Sequence, residues 1–411
     1  MPYFTGKAYS LFKPYLNFKC SDLIFLQHNV RSFIYLPERL FLEIKIGLNY
    51  VFIFLKAVYF LYFARDYCGN MDSITQIVLG AAVGEAVCGK RAGNKALLWG
   101  AIAGTIPDLD VLASPFQDLV EELTFHRSIT HSILFAIVVP PLLAYLLKAI
   151  YKRDATTLMD WFWLFFLGFT THALLDCFTT WGTKIFYPFS DYAVSFHNIF
   201  VIDPLYTFPF ILCLMPVFFY NKEDRRRRLW TYAGIGISSA YMMITLVEKF
   251  AVNKVFEKNY KDQHISVIRY STKPTPFNTL LWNATAEVDS GYYIGYYSLL
   301  DTNTIVKFKY FHKDHQLLHS YLHDEKLQTL IGITEGYYTV EKQNGSYIIN
   351  DLRFGQLDGW GEGKEAFTFA YKITPDNNTL KFSQAPNNLK KAKSLMGKLW
   401  KRIWGEKSQA G

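Results

Sequence analysis

The sequence predicts an α-helical polytopic membrane domain followed by a small, mainly β extracytoplasmic domain. Three observations predict it. Long apolar runs are confined to residues 71–250. Lys and Arg cluster in every second connection between those runs. Beyond residue 250 the pattern changes to short alternating segments rich in Tyr, Phe, Val, Ile and Thr. The formal net charge of +8 over 411 residues flanks apolar runs instead of forming a stripe. It is therefore a topology signal and argues against a nucleic-acid partner.

Four regions follow. Residues 1–70 are rich in Phe, Tyr, Leu and Lys and show little helical period. Within them only residues 46–64 could span a bilayer, and Lys56 interrupts that run. The orderly pattern begins at Met71, so residues 1–70 are expected to be an over-extended, untranslated start, the rival being one extra anchor helix. Residues 71–250 form the membrane domain, 251–388 the β domain, and 389–411 a basic amphipathic tail.

A bilayer core of about 30 Å takes about 20 apolar residues as helix. Runs 129–150, 158–179, 199–220 and 229–247 meet this length. Two shorter runs, 74–88 and 96–106, precede them, and Gly80 with Gly84 gives the first a face for close helix packing. Basic residues lie between the first and second runs (Lys90, Arg91, Lys95), the third and fourth (Lys148, Lys152, Arg153), and the fifth and sixth (Lys222, Arg225 to Arg228). The positive-inside rule puts these connections in the cytoplasm and everything after Val247 on the other side. That is the topology of a multi-pass protein of a bacterial inner (plasma) membrane.

On this map the ionisable residues Asp108, Asp110, His126, His131, His172, Asp176, His197 and Asp203 all fall in the outer half. Asp108 could equally be a turn residue, Ser128 a cap for a helix starting at Ile129, and Asp203 before Pro204 the start of a helical turn. His172 and Asp176 are harder to dismiss, because four-residue spacing puts both on one helix face inside an apolar run. Glu85, also in an apolar run, lies nearer the cytoplasmic end. Imidazole and carboxylate are ligands for zinc, and also for manganese or iron. A ring of this size has donors for one to three divalent ions. A catalytic metal keeps an open position and makes bound water a nucleophile near neutral pH. Arg127 beside it could hold a phosphate or carboxylate, or pair with Asp108 or Asp110. The five cysteines contain no C-x-x-C pair and none follows residue 250, which excludes a thiolate zinc site and a disulfide framework in the outer domain.

The stretches Met71-Asp72-Ser73-Ile74-Thr75-Gln76, Gly80 to Ala86, Pro107-Asp108-Leu109-Asp110 and His126-Arg127-Ser128-Ile129-Thr130-His131-Ser132, with His172-x-x-x-Asp176, resemble the YdjM-like membrane-bound metal-dependent hydrolases over roughly residues 71–250. That family is similar in motif order to zinc-dependent phospholipase C and P1 nuclease. The resemblance implies zinc and a phosphoester or lipid-type substrate such as a phospholipid. It implies His172 and Asp176 as ligands, with one of Asp108 or Asp110 and one of His126 or His131. Asp110, His131 and Arg127 are the candidate catalytic residues, and His197, Asp203 and Glu85 are further ligand candidates. Members often have Thr-His where this chain has Thr75-Gln76, so one ligand position is lost. The competing readings are a transporter, in which the polar residues mark an ion path, and a structural or sensory membrane protein whose outer domain binds a partner.

In the outer region, segments 265–270, 280–288, 292–299, 304–310, 337–341 and 366–373 read as strands, with Lys273-Pro274-Thr275-Pro276 as a turn or linker. Trp282, Tyr292, Tyr293, Tyr296 and Tyr297 are expected in the β core more than on a binding face. The tail from Leu389 to Trp404 repeats apolar residues every four positions among six Lys and Arg, a pattern suited to a membrane surface.

Overall fold

The computed structural model describes residues 73–356, 366–376, 379–385 and 392–405. The expectations for residues 1–70, for Met71 as start and for Leu389 to Lys391 lie outside them.

The helical region begins with a hairpin of α1 (Ser73–Ala92) and α2 (Asn94–Ala103). One residue, Gly93, turns the chain at φ +59°, a conformation that costs glycine little. Gly80 and Gly84 of α1 meet Gly100 and Gly104 of α2. A Cβ on Gly80 would land on the Gly100 carbonyl oxygen, and one on Gly104 on the Gln76 carbonyl oxygen. This is the close packing that small residues permit. It fixes Gln76 beside the end of α2.

After α2 the chain runs as a 3₁₀ segment, Ile106–Phe116, and then α3 (Leu119–Phe125). Asp118 starts α3 in a capping box with Glu121. Helices α4 (Ile133–Ile150) and α5 (Leu158–Cys177) follow. They pack with α2 around Trp161, Leu164, Phe165, Phe169, Ala103 and Leu147. Thr157 and Asp160 form a capping box that starts α5. Helix α6 (Pro204–Leu214) is continued by a 3₁₀ turn, Met215–Phe218. Helix α7 (Arg225–Asp262) has 38 residues.

By length and composition, four helical stretches among the described residues could cross a membrane: Asn94–Phe116, Ile133–Ile150, Leu158–Cys177 and Arg225–Asp262. Pro204–Phe218 is shorter.

Several expectations need correction. The cap of α4 is Ser132, whose hydroxyl accepts from the Phe135 amide at 3.1 Å. Ser128 instead bonds the Phe125 carbonyl, inside a turn that wraps Asp110. Run 199–220 yields a helix only from Pro204, because Asp203 caps it through the Leu205 amide at 2.9 Å. Helix α7 does not stop near residue 250. Its Val252, Phe256 and Tyr260 pack on Trp282, Ala284, Ala286 and Tyr297. One continuous helix therefore joins the helical region to the β region.

The β region holds two antiparallel four-stranded sheets in sequential order. The first is β1 (Arg269–Pro274), β2 (Leu281–Glu287), β3 (Gly291–Ser298) and β4 (Phe308–His312). The second is β5 (Tyr338–Gln343), β6 (Ser346–Gln356), β7 (Phe367–Asp376) and β8 (Thr379–Gln384). Lys273 and Pro274 end β1, which an edge strand tolerates, and the expected turn begins only after them, at Pro276. Strands β6 and β8 were not expected. Trp282 and Tyr292 are fully buried, and Tyr297 packs with Trp282; these aromatics are core.

Helix α8 (Glu325–Ile333) leans with α3 on the second sheet, joining Val120 to Leu318, Leu327, Leu330 and Tyr338. The tail helix α9 (Ala392–Ile403) docks Leu399 and Ile403 on Leu281. Its Arg402 pairs with Asp301 at 2.7 and 2.8 Å. One of the two apolar rows expected to face a membrane is thus taken up by the β region, and Trp400 and Trp404 remain exposed.

Candidate metal centre

The four side chains Asp108, His131, His172 and Asp176 are buried and converge. One ligand atom from each lies within 4.8 Å of the others. Asp108 comes from the 3₁₀ segment after α2, His131 from the turn before α4, and His172 and Asp176 from adjacent turns of α5. The two Nε2 atoms are 3.1 Å apart. His131 Nε2 lies 3.4 Å from Asp108 Oδ1 and 3.3 Å from Asp176 Oδ2. His172 Nε2 lies 3.4 Å from each of the same two atoms.

Hydrogen bonding fixes what these atoms present. His172 Nδ1 is 2.7 Å from the Gly104 carbonyl. A carbonyl only accepts, so Nδ1 carries the proton and the neutral ring turns a lone pair at Nε2 inward. That carbonyl is free because it ends α2. His131 Nδ1 is 3.0 Å from the Thr130 hydroxyl, which itself donates to Asp110 Oδ2 at 3.3 Å. The one hydroxyl proton is thereby used, so His131 Nδ1 donates and its Nε2 also presents a lone pair. Asp176 Oδ1 is held by Gln76 Nε2 at 2.9 Å and by Arg127 at 3.2 Å, leaving Oδ2 inward. Both oxygens of Asp108 and Oδ2 of Asp176 are buried with no hydrogen-bond partner.

With both rings neutral, acceptors meet acceptors with no donor between them, which is unfavourable unless a cation, a proton or a metal ion, lies among them. The spacing fits one. Ligands on a tetrahedral zinc with bonds of about 2.0 Å stand about 3.3 Å apart. The donor set, two imidazoles and two carboxylates, is one that zinc accepts. The group can hold a metal ion.

The remaining sequence candidates lie around this group or away from it. Asp110 is filled by other partners: His126 Nδ1 at 3.1 Å, the Arg127 amide at 3.0 Å and Thr130. Arg127 adopts φ +58° and bonds Thr179 at 2.9 Å, while its buried Nε has no partner. Asp203 caps α6 and accepts from Tyr241 at 2.8 Å. His197 bonds Ser195 at 3.1 Å. Glu85 forms a buried ion pair with Arg227 at 2.5 Å, nine residues along α1 from Gln76. Gln76, Thr130 and Gly104 were missed as contributors. Gln76 sits where a ligand was expected to be lost, yet it holds the carboxylate of Asp176. Only the Thr75-Gln76 mismatch pointed at this position.

A narrow cleft opens beside the group. Asp108, Asp176, Arg127, Gln76 and Asp203 line its polar side, and Ile199, Phe200 and Val201 its apolar side.

A bundle of apolar helices with a buried Asp-His-His-Asp group defines a helical membrane protein able to bind metal. The sequence profile of the YdjM inner membrane proteins matches residues 71–252. Inner membrane protein YbcI of Escherichia coli (strain K12) is 31% identical over 121 residues, 29% of this chain and 68% of that protein. YfhP of Bacillus subtilis (strain 168), described as uncharacterized, is 26% identical over 235 residues, 55% of this chain and 68% of that protein. The chain belongs to the YdjM inner membrane protein family. No solved structure matches it.

Proposed function

We propose that the protein is a metal-dependent hydrolase of the inner membrane, acting on a phosphoester or lipid-type substrate at the face away from the cytoplasm. One observation carries the reading: four potential ligand atoms of Asp108, His131, His172 and Asp176 converge in a buried group whose inward carboxylate oxygens have no hydrogen-bond partner. These four residues would hold a single zinc ion. When bound, zinc would polarise the substrate and make water nucleophilic near neutral pH.

The chain's own residues do the rest. Asp110 holds the Arg127 amide and, through Thr130, orients His131. Gln76 and Arg127 restrict Asp176 to one inward oxygen. Arg127 keeps one unpartnered donor, Nε, in a side chain that lines the cleft, and it would hold an anionic oxygen of the substrate. Neither histidine lines the cleft, whereas Asp108 and Asp176 do. Substrate would therefore approach from the carboxylate side. Ile199, Phe200 and Val201 would take an apolar portion of the substrate. The basic connections between helices support the orientation by the positive-inside rule.

The test uses detergent-purified protein. Elemental analysis should find about one zinc per chain, and phosphoester release from phospholipid vesicles should vanish with chelator and in His172→Ala. Folded protein that takes up no zinc, cobalt or manganese would end the reading. Zinc-loaded protein that releases no phosphoester from any lipid would leave a metal site without hydrolysis.

A further inference from the structure

The 3₁₀ segment Ile106–Phe116 has two unlike faces. Asp108 and Asp110 point inward, whereas Leu109, Leu112 and Phe116 are exposed, Phe116 at 89%. Residues three apart eclipse in a 3₁₀ helix, so Leu109 and Leu112 form one outward row. A second segment repeats the pattern. Between Lys184 and Tyr192, the side chains of Phe186, Phe189 and Tyr192 are exposed, Phe189 at 85%. Arg127 ties the two segments together, because its amide donates to Asp110 and its carbonyl accepts from the Lys184 amide at 3.1 Å. The Ile185 carbonyl accepts from the Ile133 amide at 2.9 Å. This joins the second segment to the first turn of α4, whose Ile133, Leu134, Ile137 and Val138 form an exposed apolar face. In a membrane-spanning helix, that face meets lipid.

We infer that residues 106–116 and 184–192 form an interfacial collar seated in the bilayer at the site-bearing end of the helices. The exposed apolar surface is continuous with the lipid face of α4, and exposed Phe and Leu clusters of this kind stay soluble only when covered. Tyr at the end of a span occupies the head-group boundary, which suits Tyr192. The occupant is bilayer lipid. The segment that supplies Asp108 on its inner face lies in that boundary on its outer face. This puts the metal group at the depth of lipid head groups and names a membrane-resident lipid as the substrate class. The collar rests on the membrane character of the family and does not depend on hydrolysis, whereas the substrate class rests on the proposed function.

Nitroxide labels test it on the full chain in phosphatidylcholine–phosphatidylglycerol vesicles. Phe116→Cys and Phe189→Cys would each be labelled after Cys20→Ser and Cys68→Ser, with the buried Cys88, Cys177 and Cys213 retained. Leu112→Cys replaces either variant that fails to insert. Collisions with oxygen, which concentrates in the acyl region, should exceed those with a water-soluble nickel chelate several-fold at both sites. A label at Gln343→Cys, on an exposed hairpin end of the β region, should give the reverse. Labels at 116 and 189 that behave like the one at 343 would overturn the collar. Zinc content of the same samples separates the two readings: nickel-accessible labels on zinc-loaded protein sink the collar alone, and oxygen-accessible labels on zinc-free protein sink the metal centre alone.

Discussion

The helical region buries two charged clusters, one near each end of α1. Near Glu85, every donor finds an acceptor. Arg227 Nε and Nη2 meet the two Glu85 oxygens at 2.6 and 2.5 Å, and Nη1 meets Asn94, the Val217 carbonyl and the Tyr220 carbonyl at 2.7–3.0 Å. Around Gln76, about 14 Å along the helix, the count fails: three carboxylate oxygens lack a hydrogen-bond partner and, with neutral rings, face two imidazole lone pairs. Burial and charge are common to both clusters. The difference lies in hydrogen bonding, which separates a closed structural ion pair from a group that could hold a metal ion.

The comparison breaks most visibly by mutation. Glu85→Ala leaves Arg227 buried and uncompensated, which should cost about 3–5 kcal/mol, with or without zinc. Thermal unfolding in detergent reads it. Asp108→Asn should behave oppositely, removing a buried charge that repels Asp176, so the metal-free protein loses little or gains stability. If Glu85→Ala unfolds no earlier than wild type, the closed pair is not what holds that end.

Zinc sharpens the contrast. At free metal 100-fold above its dissociation constant, a ligand that binds only the folded state stabilises it by about 2.7 kcal/mol. Wild type and Glu85→Gln should show that rise, and His172→Ala or His131→Ala should not. The supporting residues come next in size. Asp110→Asn or Thr130→Val leaves all four inward atoms in place but frees His131 to turn, and such outer partners are worth about 10–100-fold in metal affinity. Competition with a zinc dye measures it. Affinity should also fall as pH drops, because protons compete with the metal for both imidazole Nε2 atoms.

How much of this was legible in sequence depends on how local each signal is. Helix α5 was plain: an apolar run of full length, with His172 and Asp176 one turn apart. The start of α4 was not, because His126 to His131 wraps around Asp110 and nothing local reveals that Arg127 turns left-handed. Helix α7 carries Val252, Phe256 and Tyr260 at four-residue spacing, but the loss of hydropathy there reads as a domain boundary. Strand β6 was hidden by Asn350-Asp351, a turn-like pair whose partners, Thr339, Glu341 and Arg353, come from distant positions or fold back locally. Within the site, Asp108 and Asp110 look alike in sequence. Only the fold shows that Asp110 is filled by the Arg127 amide, His126 and Thr130, whereas both oxygens of Asp108 remain open.

His197 offers a smaller test, on a residue that sequence grouped with the site and the structure leaves outside the four-residue group. Burial, then the positive charges of Lys249, Lys273 and Arg353, push its imidazole down to about 2. The folded state therefore keeps His197 neutral, whereas in the unfolded chain it takes up a proton near pH 6.5. A depressed histidine contributes stability that is present above the unfolded value and is lost as pH falls below it. Between pH 6.5 and 5.5 the loss should be at most about 1 kcal/mol. His197 sits at φ +48°, a conformation that asparagine tolerates. His197→Asn should thus fold, keep its zinc, and lose that part of the acid sensitivity. If the variant's unfolding profile keeps the wild-type slope over this range, the acid response belongs to other groups, with the imidazoles of the metal centre the first to examine.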